Sequence, residues 1–522
     1  MNVVLISTYE LGRQPFGLAS PAAWLRERGH RVACLDLSRE PLAEEAIRGA
    51  GLVAFHVPMH TATRLAIEMI DPVRRLNPGA RLCFYGLYAP VNEAYLRGLG
   101  VDAILGGEFE AGLASLAGRL ADSPGNSAAT EDGLILMASG QDAREPPAPL
   151  LVPARYSPGL SWRAEAPLAG RRGSELQLRH PQSPSGGASA PEAGCQPEPV
   201  ISLDRQKFRV PDREGLPPLD RYAHLTLAGG ARRTVGYTEA SRGCKHRCRH
   251  CPVVPVYNGI FRVVPPEIVL EDIRQQVRAG AEHITFGDPD FFNGPRHALA
   301  IAHALPREFP GLTYDATIKI EHLLDRRADL AVLRETGCLF VTTAVESLDD
   351  RVLDRLEKGH TRADFLEVAR LFREENLALH PTFIPFTPWT TLEGYAAFLD
   401  ALEGLDLTEN VAPVQLSIRL LIPAGSRLLE LDEIREIVDP FDAARLVHPW
   451  RHADRRVDRL QREIEEIVRT GQSREISRRE VFGLVRGAAA GAMGEQKASY
   501  RPAEKPLVAR AAIPYLTEPW YC

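Results

Sequence analysis

Three cysteines, Cys244, Cys248 and Cys251, lie in the run Ser241-Arg242-Gly243-Cys244-Lys245-His246-Arg247-Cys248-Arg249-His250-Cys251-Pro252. The spacing is C-x3-C-x2-C. A cubane [4Fe–4S] cluster normally takes four thiolates. Three leave one iron without a protein ligand, and an open position on a metal is where chemistry happens. The other reading is a structural zinc site with His246 or His250 as fourth ligand. Zinc sites usually pair two separated knuckles, and no second knuckle follows downstream, so the spacing favours the cluster.

A loop of this kind needs elements to hold it. From about residue 234 the chain alternates strand and helix patterns, with strands expected over 235–240, 283–287, 313–320, 339–346, 379–385 and 415–421. Pro265 and Pro266 open one helix, Gly280 closes it, and Gly337 ends another. Six βα units predict a partial (β/α)6 barrel, whose active site lies at the C-terminal ends of the strands. The cysteine loop follows the first of them. Residues 1–121 carry their own apolar runs at 3–8, 31–37, 52–59, 81–86 and 102–107, separated by helical patterns, and predict a doubly wound parallel sheet. Residues 122–200, rich in Pro, Ser, Gly and Ala, read as a largely disordered linker in which Cys195 has no role. The expected divisions are therefore 1–121, 122–200, a barrel over 201–430, and a helical region with an extended tail over 431–522. The fold class is α/β.

The cysteine loop resembles that of the radical S-adenosylmethionine (SAM) family, in which the free iron chelates the amino and carboxylate groups of SAM. The resemblance implies a [4Fe–4S] cluster and SAM as cofactors. It also implies reductive cleavage of SAM to start radical chemistry, and a reductant such as flavodoxin or ferredoxin. His250 occupies the position of an aromatic residue near the adenine, with plain loop packing as the alternative. Asp288, in Gly287-Asp288-Pro289-Asp290, falls where the family contacts the SAM amino group, although the usual Gly-Gly-Glu is absent; otherwise it stabilises a turn. The run Glu346-Ser347 followed by Lys358-Gly359-His360 is similar to the region that reaches the ribose or methionine of SAM. A carboxylate at a buried strand end needs a partner, which for Glu346 is either a ligand or a lysine, Lys319 or Lys358. Lys319 and Glu321 end the third strand and line the same cavity in this reading. Arg419, inside an apolar strand, would point into the barrel to bind a carboxylate or a substrate anion, or else form a buried ion pair.

The N-terminal sheet resembles the cobalamin-binding domain fused to class B radical SAM methyltransferases, most closely in residues 3–8 and in Asp102 to Glu110. The Asp-x-His-x-x-Gly corrinoid-ligand signature is missing, and the spacing of His56 and His60 matches no ligand motif. Cobalamin binding stays open, the alternative being a domain that shapes the substrate cleft. The runs 237–244, 251–257 and 417–423, with the final Trp520-Tyr521-Cys522, resemble the radical SAM subgroup named for its Cys-Sec-Ala-Glu-Pro or Cys-Cys-Ala-Glu-Pro tail. That resemblance implies a reactive thiol at Cys522, and an expectation that the reading frame continues past a UGA selenocysteine codon.

The chain has 522 residues and a formal net charge of −6, with no electrostatic case for nucleic acid as a partner. Its eight cysteines form no disulfide framework. With no signal peptide and no membrane-length apolar run, a cytoplasmic location is expected. The substrate is expected to be a small molecule or peptide of unread identity. Three readings stand: a radical SAM enzyme, a cobalamin-dependent radical SAM methyltransferase, and a non-catalytic iron–sulfur or zinc protein.

Overall fold

A computed structural model describes residues 1–122, 200–227 and 230–494, and the backbone of 515–516. The expected linker, with Cys195, and the terminal Cys522 lie outside the described residues.

The first five strands are β1 (Asn2–Ser7), β2 (Arg31–Asp36), β3 (Leu52–His56), β4 (Arg81–Tyr85) and β5 (Ala103–Gly107). They pair in parallel in the order β2-β1-β3-β4-β5. Their continuous apolar runs are explained by cover on both faces. Val4, Ile6, Val53, Phe55 and Phe84 pack on one side, and Val3, Leu5, Ala54, Cys83 and Tyr85 on the other. A sixth parallel strand, β6 (Ile201–Ser202), pairs with Gly106 and Gly107. The division expected at residue 200 therefore falls inside this sheet's pairing. Composition marked where the polar run stops, not which sheet takes the chain that follows. Gly107 sits at a φ of +71°, and an added Cβ would lie 2.2 Å from the Ser202 carbonyl oxygen, so β6 needs glycine there.

The second sheet contains β7 (His224–Thr226), β8 (Arg232–Thr238), β11 (His283–Phe286), β12 (Thr313–Thr317), β13 (Cys338–Glu346), β14 (Ala378–Phe383) and β15 (Tyr515–Leu516). Between β8 and β11 lies a separate antiparallel ribbon of β9 (Ser241–Gly243) and β10 (Phe261–Val263). Strands β8, β11, β12, β13 and β14 are parallel and adjacent in sequence order, which makes a half-barrel. Their outer face holds Ile284, Phe286, Tyr314, Val341, Leu379 and Phe383 in the main core, against the surrounding helices. The inner face mixes polar and apolar groups: His283 Nε2 lies 2.9 Å from Asp315 Oδ1, Thr285 Oγ1 donates to the same oxygen at 2.7 Å, and the His283 ring stacks on Phe340, which packs with Val235 and Leu225. The antiparallel β7 pairs with β8, and β15 pairs with β7, so β15 runs in the direction of β8.

The expected sixth strand is reduced to one parallel bridge, Phe386 to Arg419. Residues Pro413–Leu416 form a 3-10 turn instead. Side chains replace the ladder there. Gln415 accepts from Phe383 N at 2.9 Å, Tyr395 donates to the Leu416 carbonyl at 2.9 Å, and Gln461 donates to the Ser417 carbonyl at 3.2 Å. Gln461 belongs to helix Arg455–Ser473, which with helix Arg478–Ala492 forms the expected helical region. Among the described residues, no helix is long and apolar enough to cross a membrane.

Candidate active site

The cysteine loop leaves β9 at the C-terminal end of the half-barrel. Gly243, at a φ of +71°, starts it, and an added Cβ would come within 2.4 Å of the Tyr257 ring. Asp288, from the end of β11, holds the loop's base: it accepts from Ala240 N at 2.9 Å and from Ser241 Oγ at 2.5 Å. Burial pushes its carboxyl up to about 7, against these hydrogen bonds. Asn293 Oδ1 accepts from Lys245 N at 3.2 Å and lies 3.8 Å from Cys244 Sγ.

Cys244 and Cys248 are buried, Cys251 is half-buried, and all three are free of disulfides. Burial raises the Cys244 thiol and pushes that of Cys251 up to about 12. Such sulfurs stay protonated until a cation binds them, and a bound metal deprotonates a thiol outright. Lys319 Nζ stands 4.0 Å from Cys248 Sγ and 2.6 Å from Glu321, and donates to the Lys358 carbonyl at 3.0 Å. The donor set fits an iron–sulfur cluster: three thiols on one glycine-started loop, beside an ammonium group.

Glu346 ends β13 next to a register shift in the pairing with β14, and its φ is +66°. A left-handed glutamate costs about 1 kcal/mol or more, and a bulge re-aims the side chain it carries. His250 Nε2 meets Glu346 Oε1 at 3.1 Å, and Lys358 Nζ meets the same oxygen at 3.3 Å. Burial raises the Glu346 carboxyl, but Lys358 and His250 outweigh it and hold it at about 2. The expected lysine partner is thus Lys358. The half-buried Ser347 accepts from Asp349 N at 3.0 Å, closing a turn.

Arg419 does not reach this group of residues. Its guanidinium pairs with Asp458 Oδ1 at 2.8 Å, donates to the Trp450 carbonyl, and lies 3.5 Å from the Trp450 ring centroid. The ion pair anticipated as its alternative role exists, with a helix carboxylate in place of a strand-end one. His56, at the end of β3, lies 3.3 Å from Glu10, and its ring occupies the space where a Cβ on Gly17 would fall.

The sequence reading missed a contact that helps tie the two sheets together. Arg242, two residues before Cys244, meets Glu110 at 2.6 Å, Glu239 at 2.9 Å and Glu108 at 3.5 Å. Gln206 donates to Glu108 and Glu110, at 3.0 and 2.8 Å. Burial pushes the Glu239 carboxyl up to about 8, against Arg242. Burial also works against Glu110, but Arg242 holds it below the usual carboxylate range. The signal was the pair of acids after β5, visible as Gly-Glu-x-Glu; nothing in the sequence named their partner.

Residues 238–400 match the Radical SAM superfamily. The half-barrel carries a radical SAM domain. The match spans β8 to the helix after β14 and includes the three cysteines; such a domain implies a [4Fe–4S] cluster and SAM, and it is an enzyme domain. The chain is 27% identical over 249 residues to tRNA-2-methylthio-N(6)-dimethylallyladenosine synthase of Desulfosudis oleivorans, covering 46% of this chain and 53% of that one. It is 24% identical over 188 residues to ribosomal protein uS12 methylthiotransferase RimO of Geobacter sulfurreducens, covering 34% and 42%. The chain thus spans about half the length of the curated relatives it matches. In fold it is similar to TsrM, a radical SAM methyltransferase from Kitasatospora setae solved with tryptophan and a SAM analogue. The TM-score is 0.55 at 19% identity, over 83% of this chain and 76% of that one. It is also similar to OxsB, a cobalamin-dependent SAM radical enzyme solved with aqua-cobalamin, at a TM-score of 0.58 and 13% identity, over 93% and 72%.

Proposed function

We propose that this protein is a radical SAM enzyme that cleaves SAM reductively and uses the resulting radical on a small-molecule or peptide substrate. The observation that carries this reading is the half-buried loop of Cys244, Cys248 and Cys251 at the C-terminal end of a half-barrel, with Lys319 beside it. A bound [4Fe–4S] cluster supplies the electron that splits the C5′–S bond of SAM into methionine and a 5′-deoxyadenosyl radical.

The chain's own residues bind and orient. Cys244, Cys248 and Cys251 hold the cluster, Asp288 and Asn293 fix the loop, and Lys319 offsets thiolate charge. Glu346, kept ionised by Lys358 and His250 through one oxygen, would offer SAM the other, and Ser347 shapes the adjoining turn. A reductant of the flavodoxin or ferredoxin type delivers the electron.

A cobalamin-dependent methyl transfer is the second reading. It is supported by the doubly wound N-terminal sheet and by its likeness in fold to OxsB. A part for the Cys522 thiol is supported by the direction of β15, which runs with β8 toward the strand ends that carry the cysteine loop.

The test is anaerobic reconstitution of the full chain with iron, sulfide, dithionite and SAM, followed by chromatography. Formation of 5′-deoxyadenosine or another SAM cleavage product supports the reading; none from protein carrying about four irons sinks it. Retention of a corrin spectrum after incubation with methylcobalamin separates the second reading from the first.

A further inference from the structure

Three side chains from three elements converge beside the cysteine loop without forming hydrogen bonds to one another. His246 comes from the loop itself, Asp290 from the segment after β11, and His322 from helix Ile320–Asp325 after β12. Their donor atoms all lie within 4.8 Å of one another. Asp290 is fully buried, at 0% exposure, and His322 nearly so at 6%.

Asp290 is held by one oxygen only. Its Oδ1 accepts from Phe292 N at 3.2 Å and from Lys319 N at 3.4 Å. Its Oδ2 has no hydrogen-bond donor. His322 Nδ1 stands 2.7 Å from that oxygen and His246 Nε2 3.7 Å from it, yet neither nitrogen makes a hydrogen bond. The two rings are 5.0 Å apart, tilted at 56°. A buried carboxylate oxygen left without a donor costs several kcal/mol, on the order of a lost charged hydrogen bond or more. Two imidazole nitrogens lie in ion-pair range of that oxygen, at 2.7 and 3.7 Å, with no hydrogen bond of their own. A cation between them meets all three needs at once. Backbone donors that fix the far oxygen of a ligating carboxylate are the usual outer support of such a site. Glu321 lies on the other side of His246, 3.4 Å from its Nδ1, and pairs with Lys319 at 2.6 Å.

We infer that His246, Asp290 and His322 bind a divalent transition-metal ion separate from the thiolate-bound cluster. Two imidazoles and one carboxylate are a donor set for zinc or iron(II), and three protein ligands leave coordination positions open for an oxygen or nitrogen donor on a substrate. The site adds a Lewis-acidic ion next to the cluster loop, supported by the strand ends of β11 and β12.

Zinc is the probe, because it is counted apart from cluster iron. Reconstituted full-length protein is dialysed anaerobically against Zn²⁺ and then against metal-free buffer, and both metals are counted by mass spectrometry. The expected result is about one zinc beside about four irons. His246→Ala and His322→Ala keep the iron and lose most of the zinc, roughly tenfold or more in retained metal. A chain with all three cluster cysteines changed to alanine keeps the zinc and loses the iron. Its fold is checked by circular dichroism, and if it fails to fold, the histidine variants carry the test alone. Zinc absent from the wild type, or unchanged in both histidine variants, overturns the proposal. Because no SAM is present, this outcome stands apart from that of the cleavage assay.

Discussion

The two sheets handle their faces differently. The N-terminal sheet is apolar on both sides, with separate clusters above and below it. The half-barrel has its main core on its outer face, and inside it sets His283, Thr285 and Asp315 against one another beside a small apolar cluster of Leu225, Val235 and Phe340. A two-sided apolar sheet spends its strand residues on stability and can place chemistry only at its ends. A half-barrel can set polar groups among apolar ones along its inner face. The N-terminal sheet's main contribution to the site is accordingly at one end: Glu108 and Glu110 follow β5 and meet Arg242 beside the cluster loop.

The largest effect should come from the half-barrel's thiols. Cys248→Ala is expected to reduce SAM cleavage by at least about 10³-fold with an unchanged far-ultraviolet spectrum, since a two-thiolate loop does not hold the cluster. Activity within tenfold of wild type breaks the assignment of the loop.

Next comes the join between the sheets. Arg242→Gln leaves the buried Glu108 and Glu110 and the half-buried Glu239 without their cation and should cost about 3–5 kcal/mol in urea unfolding. It should also split one transition into two as the sheets unfold separately. A change below about 1 kcal/mol would mean that the other contacts, such as Arg213 to Gln14 and Tyr222 to Asp36, carry the join.

Glu346 gives a smaller, pH-dependent effect. Its folded value of about 2 lies below the ordinary glutamate value of about 4.3. Its contribution is therefore fully present above about pH 4.3 and is lost as pH falls toward 2. The stability gap between wild type and Glu346→Gln should be widest near pH 6 and narrow at pH 3. A gap that does not change with pH refutes the pairing with Lys358 and His250.

Arg419→Lys should matter least. A guanidinium turned toward Asp458 and Trp450 predicts less than about threefold change in the KM for SAM. A tenfold rise would put the group at the ligand and blur the line between the barrel's inner face and its helical cover.

The sequence made periodicity and spacing legible. The runs of β1 to β5 and of β8, β11, β12, β13 and β14 fell close to where their apolar patterns placed them, although β12 ends at Thr317, short of the expected 320, and the three cysteines follow the first barrel strand, where the strand-end rule places a site. What it did not show were contacts between residues far apart in the chain. Arg242 finds Glu108 across 134 positions, and Asp290 meets His322 on a helix after the next strand. The run 415–421, with Arg419 inside it, has a strand's composition, but Pro413 and the side chains of Gln415, Tyr395 and Gln461 take the place of ladder partners. The positive φ of Glu346 is likewise set by the bulge in β13 rather than by residue type, since a glutamate gives no sign of it.

The pairing of Tyr515–Leu516 with Leu225 and Thr226 carries a consequence for handling the protein. It covers the outer hydrogen-bonding edge of β7, and an uncovered edge is a template for another chain. A chain cut before Tyr515 should therefore self-associate at concentrations where the full chain stays dispersed, by edge-to-edge strand addition between copies.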